Sequence, residues 1–229
     1  MASLELIKTL LGKVSKMRVL VACEYSGIVR DEFLKLGHDA VSCDLLDSES
    51  DFGEHYKGNV LDIINDGWDM MIAFPPCTYL TVSGNRWFYH PEDKHLPYEK
   101  RRPHPLHPNR RELQEEALDF IILLMDAPID KIAIENPIGV ISTKIRKPDQ
   151  IIQPYEYGHA TSKSTCLWLK NLPLLQPTNI VDPEWIQVSG GQRMSRFHYD
   201  SYSLPKDERS KIRSKTFSGI AKAMADQWV

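Results

Sequence analysis

The sequence predicts an α/β fold, a doubly wound and mostly parallel sheet, and two observations carry that expectation. Short runs such as Val19–Cys23, Asp69–Phe74 and Ile132–Ile134 are continuously apolar and rich in β-branched residues. Strands buried on both faces read this way, whereas half-exposed strands alternate. Between the runs stand segments of helical period, and strand–helix alternation along a chain is the signature of parallel pairing.

Taken in order, Arg18–Cys23 is the first strand, and Glu24-Tyr25-Ser26-Gly27 is a tight turn. Ile28, Phe33, Leu34 and Leu36 then space as a helix that ends at Gly37. Asp39–Cys43 forms the second strand, closed by Asp44, and Gly58–Ile64 reads as a short strand and turn. The strand Asp69–Phe74 comes next, then a Pro- and His-rich insertion through about Asn109. Arg110–Met125 has helical periodicity with a solid apolar face, and Lys131–Ile134 is the next strand. Beyond residue 150 the alternation weakens. Thr165–Leu169 is a strand, Pro173, Pro177 and Pro183 interrupt the stretch after it, and Thr216–Trp228 closes the chain as an amphipathic helix.

A chain of 229 residues suits one α/β domain with a modest insertion. Its 42% hydrophobic and 26% charged content are ordinary for a globular protein, and no run approaches the roughly 18 apolar residues that span a membrane. Leu4, Ile7, Leu10, Leu11 and Val14 predict an amphipathic helix over residues 1–16 rather than a signal peptide. The four cysteines form no CxxC pair, so free thiols in a reducing cytoplasm are expected. Cys23, Cys43 and Cys166 read as small core residues, whereas Cys77 follows two prolines where a strand ends.

Net charge is −3, but it is uneven. Residues 85–111 and residues 190–216 each carry seven Lys/Arg against three Asp/Glu, on an otherwise acidic body. Local positive segments of this kind suit a nucleic-acid cleft; a pair of solvated loops would carry the same charge. His90, His95, His104 and His107 raise a zinc reading, but no cysteine joins them and prolines interrupt the set, so no metal is expected.

Two strand ends carry chemistry. Phe74-Pro75-Pro76-Cys77 presents a thiol on a stiff turn, and Glu135-Asn136-Pro137 places a carboxylate after another buried strand. Ligands of open α/β sheets sit outside the carboxyl ends of the strands, so one crevice can hold both groups. On the cofactor side, the turn with Gly27 lets a ligand approach backbone at a helix N-terminus, and it lacks the GxGxxG of a dinucleotide site. Asp44 lies roughly twenty residues on, where an acid hydrogen-bonds a ribose hydroxyl. That pairing favours an adenosine-type ligand without a phosphate; a capping Ser26 and a surface Asp44 would read alike.

Together these stretches resemble the S-adenosylmethionine-dependent DNA cytosine carbon-5 methyltransferases, and the Thr165–Leu169 stretch is similar to compact bacteriophage-type members. The resemblance implies a Rossmann-like methyltransferase fold, a bacterial host cell and a covalent mechanism. Cys77 is then the nucleophile that adds to carbon 6 of the base, and Glu135 stabilises the activated ring. It places the cofactor at Tyr25, Ser26, Gly27, Asp44 and Asp62, with Cys23, Glu24, Leu45, Phe74 and Pro75 beside them. This chain's Cys-Glu-Tyr-Ser-Gly departs from the glycine-rich turn of the family. The family's arginine motif is also missing from Gly158–Cys166, which leaves Lys163 to supply a cation beside the base. Residues 1–170 and 214–229 form the catalytic body on this reading, with 78–111 as the loop that closes over a flipped base. Residues 171–213 are a small substrate-contacting loop region, too short for an independent recognition domain, so sequence specificity should be short or relaxed. Arg86, Trp87, Arg101 and Arg102 in the first basic segment, and Arg193 and Arg196 in the second, are the expected nucleic-acid contacts. Two alternatives stay open: the same chemistry on free dCMP or with a modified methyl donor, and a catalytically silent nucleic-acid-binding relative.

Overall fold

The computed structural model of the protein describes residues 15–188 and 190–229; the apolar residues of the helix expected over 1–16 lie outside them. A seven-stranded sheet is built from β1 (Arg18–Ala22), β2 (Asp39–Asp44), β3 (His55–Lys57), β4 (Met70–Ala73), β5 (Lys131–Pro137), β6 (Gln150–Ile152) and β7 (Thr165–Lys170), in the order β3-β2-β1-β4-β5-β7-β6. The first five in that order pair parallel, and β7 and β6 add antiparallel at one edge. The fold is therefore α/β and mostly parallel, as the apolar runs predict.

Continuous apolar strands bury both faces, and the side chains sort by period two. Val19, Val21, Met70, Ile72, Ala133 and Leu167 face one core. That core is covered by α1 (Ile28–Lys35), through Val29 and Phe33, and by the C-terminal helix Ser218–Gln227, through Ile220 and Met224. Leu20, Met71, Ile132, Ile134 and Trp168 face the other, under α2 (Arg110–Met125). The largest buried side chains also satisfy their polar atoms: the indole N–H of Trp168 donates to the Arg146 carbonyl (2.9 Å) and that of Trp228 to the Pro173 carbonyl (3.1 Å).

Four local expectations are corrected. The strand placed at 58–64 is β3 at His55–Lys57, followed by a 3₁₀ turn at Val60–Asp62 that Asn59 caps through the Leu61 N–H. Cys23 is not a strand residue: it leaves β1 with φ 58°, a left-handed conformation uncommon outside glycine. The insertion after Cys77 is not a loosely solvated loop. It folds as successive 3₁₀ turns at Val82–Trp87, Pro91–His95 and Tyr98–Lys100, with Leu80, Phe88 and His104 buried. Finally, residues 171–213, expected as loops, contain a hairpin, β8 (Trp185–Gln187) with β9 (Arg193–Ser195), and two helices. These come after α3 (Ile141–Lys144) in the chain and are α4 (Arg196–Tyr202) and α5 (Lys206–Ser214); the C-terminal helix is α6. No helix among the described residues is long and apolar enough to cross a membrane.

Candidate active site

The sheet register assembles the site. Cys43, Ala22, Ala73 and Ile134 lie side by side across β2, β1, β4 and β5, so the next residues, Asp44, Cys23, Phe74 and Glu135, stand together along one edge, at the carboxyl side of the parallel register. The chain runs outward in opposite directions from β1 and β4, which makes their junction the switch point where such sheets hold ligands.

A trough of three adjoining cavities runs along that edge. The first, about 440 Å³, is lined by Cys23, Asp44, Leu45, Val60, Tyr79 and Phe120 among others, with no lysine or arginine. Asp44 accepts the Leu46 N–H on Oδ1 (2.9 Å), with Oδ2 making no contact among the described residues. The middle cavity, about 210 Å³, shares Cys23, Asp44 and Pro76 with the first and adds Tyr25, Ser26 and Lys215. It shares Phe74, Cys77 and Ser214 with the third, about 520 Å³, which Glu135, Lys163, His198 and Arg213 also line.

In the first turn the side chains divide their work. Glu24 is buried, and its carboxylate accepts the N–H groups of Val29 (2.7 Å) and Arg30 (3.3 Å) and the Ser26 hydroxyl (3.1 Å). It is the anionic cap of α1, favoured there by the helix dipole even though burial pushes its pKa up. Gly27 has φ 74°, and a Cβ there would sit 2.6 Å from the Arg30 guanidinium, so only glycine fits. Burial, with Asp44 nearby, pushes the Cys23 thiol up to about 12, which leaves it an inert wall. Tyr25 donates its hydroxyl to the Lys211 carbonyl (2.9 Å), tying this turn to α5.

The two catalytic motifs are stitched together by backbone. Asn136 donates from Nδ2 to the Pro75 carbonyl (2.9 Å), and the Val140 N–H donates to the Leu80 carbonyl (2.8 Å). Gly139 is required at this crossing, because any Cβ would collide with the Leu80 carbonyl. From the other side, Arg110 and Gln114 at the start of α2 donate to the carbonyls of Thr78 (2.8 Å) and Tyr79 (2.7 Å). Cys77 is thus held on a turn fixed at both flanks.

The electrostatics of the third cavity couple its members. Cys77 is exposed as a residue, yet the protein around its thiol strips enough water to raise the pKa; the Glu135 carboxylate raises it further, and Lys163 pulls it back. Glu135 is raised by burial, against Lys163 and a hydrogen bond from Thr165. At rest the thiol is protonated, and the carboxyl group binds a proton more readily than a solvated one. Lys163 donates to the Arg213 carbonyl (2.8 Å), and Arg213 donates to Ser201 Oγ (2.8 Å) and to the His198 carbonyl (2.9 Å). His198 is pushed down by burial and by these two cations.

Compared with known proteins, the chain matches no family model and no curated protein.

The cavities gather Cys77, Glu135 and Lys163 with Tyr25, Ser26, Asp44, Leu45, Phe74 and Pro75, and leave out several expected residues. Asp62 is exposed, accepts the Tyr56 hydroxyl (3.3 Å), and lines none of the three cavities; Asn59 and Val60 stand there instead. Arg102 is a structural tether: its backbone N–H (2.8 Å) and guanidinium (2.7 Å) both hold the buried Asp93 carboxylate. Arg101 donates to the carbonyls of Leu96 (2.7 Å) and Lys94 (3.0 Å) and stacks on Tyr98. Arg193 lies over the Trp185 ring, and Arg196 pairs with Glu184 (3.8 Å) and Asp200 (3.4 Å), both away from the trough. Trp87 packs edge-on against His104 and His107, and no metal-holding group of His, Cys, Asp or Glu occurs among the described residues. Sequence reasoning missed His198, Arg213 and Ser214; their only signal was the positive charge of residues 190–216.

Proposed function

We propose that the protein transfers a methyl group from S-adenosylmethionine to carbon 5 of cytosine in DNA, on a Rossmann-like methyltransferase fold. One observation carries this reading: a thiol, a carboxyl group and a lysine around one cavity, joined by a narrow passage to an apolar cavity with a single carboxylate and no cation. The first cavity fits an uncharged nucleoside, with Val60, Tyr79 and Phe120 against a flat ring and Asp44 available to a ribose hydroxyl. A dinucleotide would need a phosphate cradle, and Glu24 already takes the N–H groups at the start of α1. When bound there, S-adenosylmethionine supplies an electrophilic methyl group.

The residues of the third cavity supply the rest. Cys77, as thiolate, adds through Sγ to carbon 6 of the pyrimidine, and the displaced electron pair makes carbon 5 nucleophilic. Glu135, with its raised affinity for a proton, holds one at ring nitrogen 3 as charge develops. Lys163 offsets negative charge on both partners. Once carbon 5 carries the methyl group, its proton passes to solvent, the ring double bond re-forms and the bond from Cys77 Sγ to carbon 6 breaks; the proton the thiol gave up on attack also passes to solvent, and the one held at nitrogen 3 returns to Glu135.

The cation pair Lys163 and Arg213 favours a second reading, since it could meet the phosphate of a free nucleotide as readily as that of a strand. Incubation with radiolabelled S-adenosylmethionine and either duplex DNA or dCMP, then digestion and base analysis, distinguishes them. The expected result is labelled 5-methylcytosine from DNA, abolished by Cys77→Ser. Label only in dCMP supports the second reading, and full activity of the serine variant refutes the mechanism for both.

A further inference from the structure

A second site stands on the insertion, separate from the trough. A cavity of about 520 Å³ opens between the 3₁₀ turns and α2, walled by Phe88, Tyr89 and Tyr98 and by Arg86, Arg101 and Gln114. Next to it, a cavity of about 250 Å³ shares Asn85, Arg86, Tyr89 and Arg101 and adds Trp87 and Lys94. Neither lining includes an aspartate or glutamate. Aromatic faces and cations without counter-charge are the combination that holds an unpaired base and its phosphate.

The guanidinium groups are arranged for this. Arg101 is fixed by its two backbone acceptors and lies between Tyr98 (4.3 Å) and Tyr89 (5.4 Å), which leaves Nη1 without a partner among the described residues. Arg86 makes no hydrogen bond or ion pair there and rests only on the Trp87 face, 4.7 Å from its centroid. The Tyr98 ring stays mostly exposed even with Arg101 and the tilted Tyr89 ring (5.6 Å) against it. The amide of Asn85 and the Oε1 of Gln114 add uncommitted groups that suit a base edge.

We propose that this site binds a nucleotide of single-stranded or locally opened DNA, with the base stacked on Tyr98 and Tyr89 and the phosphate on Arg86. Val82 lines both this cavity and the reaction cavity, so a strand in one continues into the other. That the bound nucleotide neighbours the reacting base rests on the methyl-transfer reading; binding itself does not.

The test uses a labelled oligothymidylate of about twelve nucleotides, within the usual single-strand site size, which contains no cytosine to react. Fluorescence anisotropy should show binding by the full chain. Arg86→Gln and Tyr98→Leu, whose side chains make no hydrogen bond among the described residues and pack on Trp87 and on Arg101 and Tyr89 respectively, should each weaken it about tenfold with the melting temperature unchanged. Equal binding by parent and variants, no binding of the oligothymidylate, or its displacement by an acidic peptide at equal concentration would overturn the proposal. Failure of the methyl-transfer reading would look different: oligothymidylate bound, with no label reaching cytosine.

Discussion

Replacing Asn136 by alanine tests whether the turn that carries Cys77 is held in place by the strand that carries Glu135. Asn136 is buried, and its Nδ2 donates 2.9 Å to the Pro75 carbonyl, while its Oδ1 has no partner among the described residues. Removing the side chain leaves the Pro75 carbonyl unpaired, a loss of about 1–3 kcal/mol for a buried acceptor. It also removes one unsatisfied oxygen, which offsets part of that loss. The net should lie near 1–2 kcal/mol, a fall of roughly 2–8 °C in Tm for a chain of this size. Asn136→Asp keeps the shape but sets an acceptor against an acceptor, so at pH 8 it should destabilise more than alanine. Thermal melts followed by circular dichroism give the order parent, alanine, aspartate. On the proposed reading, methyl transfer should fall further than stability explains, by on the order of 100-fold, because displacing a reacting group by about 1 Å costs that much. Equal stability of all three proteins would refute the tether. A destabilised variant that transfers at the parent rate would show that Cys77 is positioned by something else.

Two further outcomes rest on the packing. Arg102→Ala should open the insertion, read as faster limited proteolysis between residues 90 and 105, because Arg102 holds the buried Asp93 carboxylate well below the usual range. Since that pKa is depressed, the stabilisation is present above the ordinary aspartate value of about 3.9 and is lost as pH falls through the native one; proteolysis unchanged by the substitution would contradict the tether. His159 accepts the Gly219 N–H on Nε2 (2.9 Å) at the start of α6, and burial lowers its pKa. Its contribution is full above the ordinary histidine value of about 6.5 and falls as pH drops through the native one, so the Tm gap between the parent and His159→Gln should narrow from pH 8 to pH 5. A gap that does not change with pH would exclude a neutral capping imidazole.

The sheet was legible because strands buried on both faces leave a local mark. Arg18–Ala22 and Met70–Ala73 need no partner to be recognised as apolar runs, and the 16 residues of α2, Arg110–Met125, match their periodicity from end to end. Glu24 was harder. Its place in the turn is the same whether it contacts a ligand or caps a helix, and only the Val29 and Arg30 N–H groups decide for the cap. Arg102 was misread for a related reason: its role depends on Asp93, nine residues away across two 3₁₀ turns, and a basic cluster does not say which of its members are already paired. Arg213 and His198 could not be found at all by motif. They enter the third cavity because α4 and α5 fold back over the strand ends, a long-range contact with no local sequence signature.

On the proposed reading, that fold-back is what lets a chain of 229 residues complete a methyl-transfer site. Three contacts tie the segment around α5 to the trough: the Tyr25 hydroxyl on the Lys211 carbonyl (2.9 Å), Lys163 on the Arg213 carbonyl (2.8 Å), and Lys215 on Glu49 (2.5 Å). Tyr25 and Lys215 line the middle cavity, Lys163 and Arg213 the proposed reaction cavity, and Ser214 lines both. One short segment therefore walls the middle and third cavities together. On the proposed reading, the cation that the arginine motif would supply is Arg213, brought by this segment with His198 to the cavity that Lys163 already lines. Since Tyr25 and Lys163 both hold backbone carbonyls of the same region, filling the middle cavity would order the wall of the third. On the proposed reading, cofactor and substrate binding should then be cooperative, with the coupling carried by the Tyr25 hydroxyl.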